Sequence, residues 1–129
     1  MKNDIKFTHY CRRELYSLMY QAEHEKNAFV CYIRGGLCKT SEDFLREVSS
    51  AMRFPYYFGW NWNALDECIT DLEWLSFSTL FIVIDQFDLM FKDEAPRDEY
   101  HEFLIDFLNS VFKYWKSQNI PIEIYLNTD

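Results

Sequence analysis

The sequence predicts an α/β fold: a small three-stranded parallel sheet with helices packed on it, plus an N-terminal helical extension. Two observations predict it. Short β-branched and aromatic runs near 29–34, 80–84 and 120–126 alternate with segments of helical periodicity. The middle run, Leu80-Phe81-Ile82-Val83-Ile84, is apolar without a break. A strand covered on both faces reads that way, which puts it at the centre of the sheet. Strands that alternate with helices imply right-handed crossovers.

The elements follow in order. Residues 8–24 form a helix, with Thr8 as its cap and Cys11, Leu15, Leu18, Met19 and Ala22 at helical spacing. It precedes the first strand, and its role is to cover one face of the sheet. Phe29–Arg34 is the first strand, closed by Gly35-Gly36. Thr40 and Asp43 approximate a capping box. The helix they open presents Phe44, Leu45, Val48, Ala51 and Met52, and Pro55 follows its end. A polar stretch at 88–97 leads to a helix over 97–117, which presents Tyr100, Phe103, Leu104, Phe107, Leu108, Val111 and Trp115. Asn119 suits a left-handed stop. Residues 120–126 alternate apolar and polar, as in a half-buried strand, and Pro121 suits its first residues or an edge.

At 129 residues the chain is one domain, with 19% aromatic residues to build a core. No repeat, low-complexity tract or linker divides it. A net charge of -8 argues against direct binding of nucleic acid or an anionic membrane surface, and favours a basic protein partner. No apolar run reaches membrane-spanning length. Cys11, Cys31, Cys38 and Cys68 have no zinc-like spacing, and no apolar signal run follows the N-terminus. They read as reduced thiols of a cytoplasmic protein, Cys31 and Cys68 in the core and Cys38 exposed in a polar loop.

Catalytic signatures are missing from the sequence. His24-Glu25 and His101-Glu102 are followed four positions on by Ala28 and Ile105, so neither makes a zinc-binding helix. Three glycines cannot assemble a phosphate loop or a dinucleotide fingerprint. The expectation is no enzyme, no catalytic residue, no metal and no cofactor.

The stretch from Pro55 to Leu72 carries the function. It reads as an aromatic loop feeding a short helix, with Asn61 as N-cap. Leu65, Cys68, Ile69 and Leu72 recur at helical spacing and dock on the core. Asn63, Asp66, Glu67, Thr70 and Asp71 form the opposite face. Between Arg53 and Lys92 there is no lysine or arginine, whereas Asp66, Glu67, Asp71, Glu73, Asp85 and Asp88 fall inside. Such a face repels itself and is relieved by a basic partner. A solvated helix face is the plain alternative for a charge run. Among the loop aromatics, Phe58 and one tryptophan belong to the core, and Tyr57 and Trp60 are the exposed members. Tyr and Trp are enriched at interface hot spots.

The run Tyr57-Phe58-Gly59-Trp60-Asn61-Trp62-Asn63-Ala64-Leu65-Asp66-Glu67-Cys68-Ile69-Thr70 resembles the barstar family pattern of an aromatic pair, Gly, an Asn-x-x-Ala-Leu helix start, an acid and a Thr. Leu80–Phe87 resembles the family's central strand and its Gln-Phe exit, and the likeness spans roughly 28–127, which makes residues 1–27 an N-terminal extension of the family-like core. The resemblance implies a barstar-like fold and a small intracellular inhibitor of a ribonuclease, an antitoxin or immunity protein of a bacterial cytosol. Such an inhibitor plugs the nuclease active site with carboxylates in place of substrate phosphates. By position it makes Glu67 the central inhibitory acid and Tyr57 and Thr70 contact residues. Asn63 stands where the family has an aspartate, Asp66 adds an acid beside it, and Tyr114 takes the place of a late acid in the last helix. The partner-binding set is therefore Tyr57, Trp60, Asn63, Asp66, Glu67, Thr70 and Asp71. The rival reading is an interaction or regulatory module of the same fold whose target is not a nuclease.

Overall fold

The computed structural model describes residues 4–128. Its elements are β1 Ile5–Thr8, α1 Arg12–Glu25, β2 Ala28–Arg34, α2 Ser41–Ala51, α3 Trp62–Ile69, β3 Thr79–Asp85, α4 Arg97–Ser117 and β4 Ile122–Asn127. The sheet has four parallel strands in the order β1-β4-β3-β2, not three. The added strand is β1, which pairs Ile5 with Ile124 and Thr8 with Asn127. It captures the open edge of β4, so β4 is an interior strand with Pro121 just before it.

Chain order explains where the helices lie. From β2 to β3 to β4 each strand is added on the same side of the last. The β1-to-β2 connection runs the opposite way across β4 and β3. Right-handed crossovers then put α1 on one face and the other helices on the other. The core divides accordingly. Leu15, Met19 and Ala22 of α1 pack on Phe81, Val83 and Tyr125. The helices α2, α3 and α4 pack on Cys31, Ile33, Leu80, Ile82, Ile84, Ile122, Ile124 and Leu126.

Four expectations need correction. α1 starts at Arg12, with Cys11 as N-cap, and Thr8 ends β1 instead of capping a helix. Cys38 is buried, against the reading from its polar loop, and Cys11, which helical spacing set in line with Leu15 and Leu18, is exposed. Burial, then the Glu47 and Asp43 carboxylates, push the Cys38 thiol up to about 12. β4 is buried along both faces, because α1 covers the side that carries Tyr125. Phe103 of α4 is 48% exposed and does not reach the core.

Local chemistry holds elsewhere. The Asp43 amide donates to Thr40 Oγ1 and the Thr40 amide to Asp43 Oδ2, each at 3.2 Å, closing the capping box of α2. Asn119 ends α4 at φ 61°. A side chain at Gly35 would strike the carbonyl oxygens of Asp85 and Gln86, so only glycine lets the exit of β2 lie against that of β3.

Candidate docking face on helix α3

The loop before α3 is stapled to it by one side chain. Asn61 Oδ1 accepts from the Ala64 amide at 2.8 Å, and Asn61 Nδ2 donates to the Gly59 carbonyl at 3.2 Å. The first bond caps the helix and the second fixes the loop's approach. Trp60 sits between them at φ 57°. A bulky residue in that region costs about 1–2 kcal/mol. The outcome is an indole 54% exposed, edge-on to buried Phe58 at 4.9 Å between centroids.

The inner face of α3 anchors through buried Leu65, Cys68 and Ile69. The helix is shorter than its periodicity suggests and stops at Ile69. Thr70 is the C-cap, its hydroxyl donating to the Asp66 carbonyl at 2.6 Å. Leu72 stays buried although it leaves the helix at φ 52°. Trp115 of α4 donates from its indole to the Ile69 carbonyl at 3.0 Å, satisfying an acceptor the helix end leaves free. These contacts fix the direction in which the outer face points.

That outer face carries Asn63, Asp66 and Glu67, all exposed, with Asp71 exposed just past the helix. Among the described residues, the ion pairs join Glu123 to Lys6 and Lys26, Glu47 to Arg34, and Arg46 to Glu42 and Asp43. None involves Asp66, Glu67, Asp71 or Glu73. Their charge is uncompensated within the described chain.

A surface hollow of about 370 Å³ brings Tyr57, Asn63 and Glu67 together with Phe58, Gly59, Asn61, Ala64 and Cys68. Tyr57 is 59% exposed. Desolvation, then the Asp71 and Glu73 carboxylates and the Cys68 thiol, raise its phenol above the usual range, so it stays a neutral donor in an acidic field. Trp60 is not in this hollow. It lines a neighbouring one of about 540 Å³ with Ser41, Glu42, Leu45, Arg46, Asn61 and Trp62. Asp66 and Asp71 line neither, and Thr70 is half-buried.

Sequence reasoning missed two features. Tyr56 is 99% exposed and edge-on to Tyr57 at 5.8 Å. Three consecutive aromatics after Pro55 cannot all reach one core, and that was the available signal. The second is Phe103, which stands against Trp62 at 4.8 Å and 82°.

Arranged this way, the face can bind and steer. Among the described residues no cluster of His, Cys, Asp and Glu could hold a metal ion, and no helix is long and apolar enough to cross a membrane. The histidines have structural contacts: His9 with Thr128, His24 with the Tyr20 ring, His101 with the Met90 carbonyl.

A model of the family described as Barstar (barnase inhibitor) matches residues 28–127. The chain belongs to the barstar family. Its family-matched part begins at the first residue of β2 and ends at the last of β4, so β1 and α1 lie outside it. The loop, α3 and all of the candidate face lie inside. Barstar proteins are inhibitors, a class that fits a face of acids and aromatics, and their partners are proteins. No curated protein matches the sequence.

Proposed function

We propose that this barstar-family chain is an intracellular inhibitor of a basic ribonuclease, an antitoxin or immunity protein of a bacterial cytosol. The observation that carries the reading is the outer face of α3: Asp66, Glu67 and Asp71, exposed and without ion-pair partners among the described residues, inside the family-matched span. Glu67, on the rim of the Tyr57 hollow, is the phosphate-mimicking centre. Asn63, Asp66 and Asp71 make surrounding polar contacts, and Tyr57, Trp60 and Thr70 frame them. The protein carries out no reaction and needs no cofactor.

Stopped-flow association with a basic microbial ribonuclease tests this. Steering by uncompensated charge raises association rates by 10- to 10³-fold, and salt removes the gain. The rate should fall at least about tenfold from low to molar salt. A rate indifferent to salt would contradict the mechanism. The rival reading, a module of the same fold with another target, draws on the departures at Asn63 and at Tyr114, which is exposed with Lys113 beside it. It predicts salt-dependent binding to basic proteins with no loss of nuclease activity.

A further inference from the structure

Three adjoining hollows wrap the N-terminal end of α3. The hollow at Glu67 shares Asn61 with the one at Trp60, and that one shares Trp62 with a third. The third, about 410 Å³, is walled by Trp62, Ala95, Pro96, Tyr100 and Phe103, with Glu99 on its rim. We infer that this third hollow is an apolar subsite of the α3 interface, taking a bulky apolar side chain of the same protein partner, with a lysine or arginine of that partner set against Glu99. The inference rests on α3 being the docking face.

Three features support it. Phe103 leaves half its surface in water on a helix that has a core face to use. Its ring is nonetheless held, edge-on to Trp62, and Trp62 stacks on buried Phe44 at 5.5 Å. A wall already rigid loses little entropy on binding, the property of an interface anchor. The charge is complementary: Glu99 is exposed and forms no ion pair among the described residues, and no cation lines the hollow. An apolar side chain beside a cation therefore matches both parts of the site. The hollow also continues the acidic face through shared residues, so one basic partner can cover both.

Phenethylamine, a phenyl ring next to an ammonium, is the probe, and phenylacetate its anionic counterpart. The full chain is titrated with each while the Trp62 indole N–H signal is followed by NMR. Phenethylamine should move that signal at millimolar concentration, and phenylacetate should bind at least fivefold more weakly. Glu99→Arg should weaken phenethylamine at least fivefold, and Glu102→Arg, with the same change in net charge but outside the hollow, should leave it unchanged. Both residues are exposed, so both variants keep the fold. An unmoved Trp62 signal, equal response to the two probes, or equal loss in the two variants would overturn the subsite. With an inhibited ribonuclease, Phe103→Ala should raise Kd about tenfold with the salt dependence intact, whereas Glu67→Ala should flatten the salt dependence. Wild-type Kd in Phe103→Ala would also overturn it. Loss of the inhibitor reading would show differently, as a wild-type chain that inhibits no nuclease while phenethylamine still finds Trp62.

Discussion

Asn127 is the joint between the family core and its added N-terminal unit, and Asn127→Ala is the sharpest test of that unit. The side chain is buried with every hydrogen-bonding position in use. Its Oδ1 accepts from the Thr8 hydroxyl at 2.7 Å and the Tyr10 amide at 2.8 Å. Its Nδ2 donates to the Tyr10 carbonyl at 3.0 Å and to Asp85 Oδ1 at 3.1 Å. At about 1 kcal/mol net each, the four bonds set the loss at about 3–4 kcal/mol. For a domain of this size that lowers Tm by about 10–15 °C. Urea unfolding gives the global figure, and native-state hydrogen exchange should show residues 5–25 opening first. Because α1 and α3 lie on opposite faces of the sheet, partner affinity below Tm should not change. A loss under about 1 kcal/mol, or an α1 protected as in the wild type, would refute the idea that Asn127 holds the unit in place.

Further predictions concern pH and thiols. Burial works to raise the Glu123 carboxyl, but hydrogen bonds from Tyr125, Lys26 and Lys6 together outweigh it and hold it at about 2. A carboxyl depressed in the folded state stabilises above its unfolded pKa, near 4.5 here, and that stability is lost as pH falls toward 2. Glu123→Gln should cost about 1 kcal/mol at pH 7, discounted because both lysines are half exposed, and almost nothing at pH 2; a pH-independent cost in urea titrations would contradict the linkage. Of the four cysteines only Cys11 is exposed, so the native protein should take up one equivalent of a thiol reagent quickly and the rest on unfolding. Mass spectrometry locating the fast label on Cys38 would refute the packing of the single helical turn Gly35–Leu37 and the Cys38 that ends it.

What was legible in the sequence was local. The bounds of α4 follow from its periodicity and from Asn119, and the starts of α2 and α3 follow from Thr40 and Asn61, whose side chains make the expected bonds. What was illegible was decided at long range. Ile5-Lys6-Phe7-Thr8 buries only Ile5, and it becomes a strand because the edge of β4, far along the chain, is there to pair with. The alternation in β4 suggested one wet face, but Tyr125 and Asn127 on that side are covered by α1 and by the loop at Tyr10. At the site, the exposure of Tyr57, Trp60, Asn63, Asp66 and Glu67 could be read from helical spacing and from the loop. That Trp60 and Glu67 would line different hollows could not, since it depends on the left-handed turn at Trp60 and on the packing of α2.

The most direct measurement is RNA cleavage by a panel of basic microbial ribonucleases, with and without a stoichiometric amount of this protein and of Glu67→Ala. The account predicts that at least one nuclease is silenced by the wild type and released by the variant. Cleavage undiminished across the panel, or inhibition that survives Glu67→Ala, would contradict it.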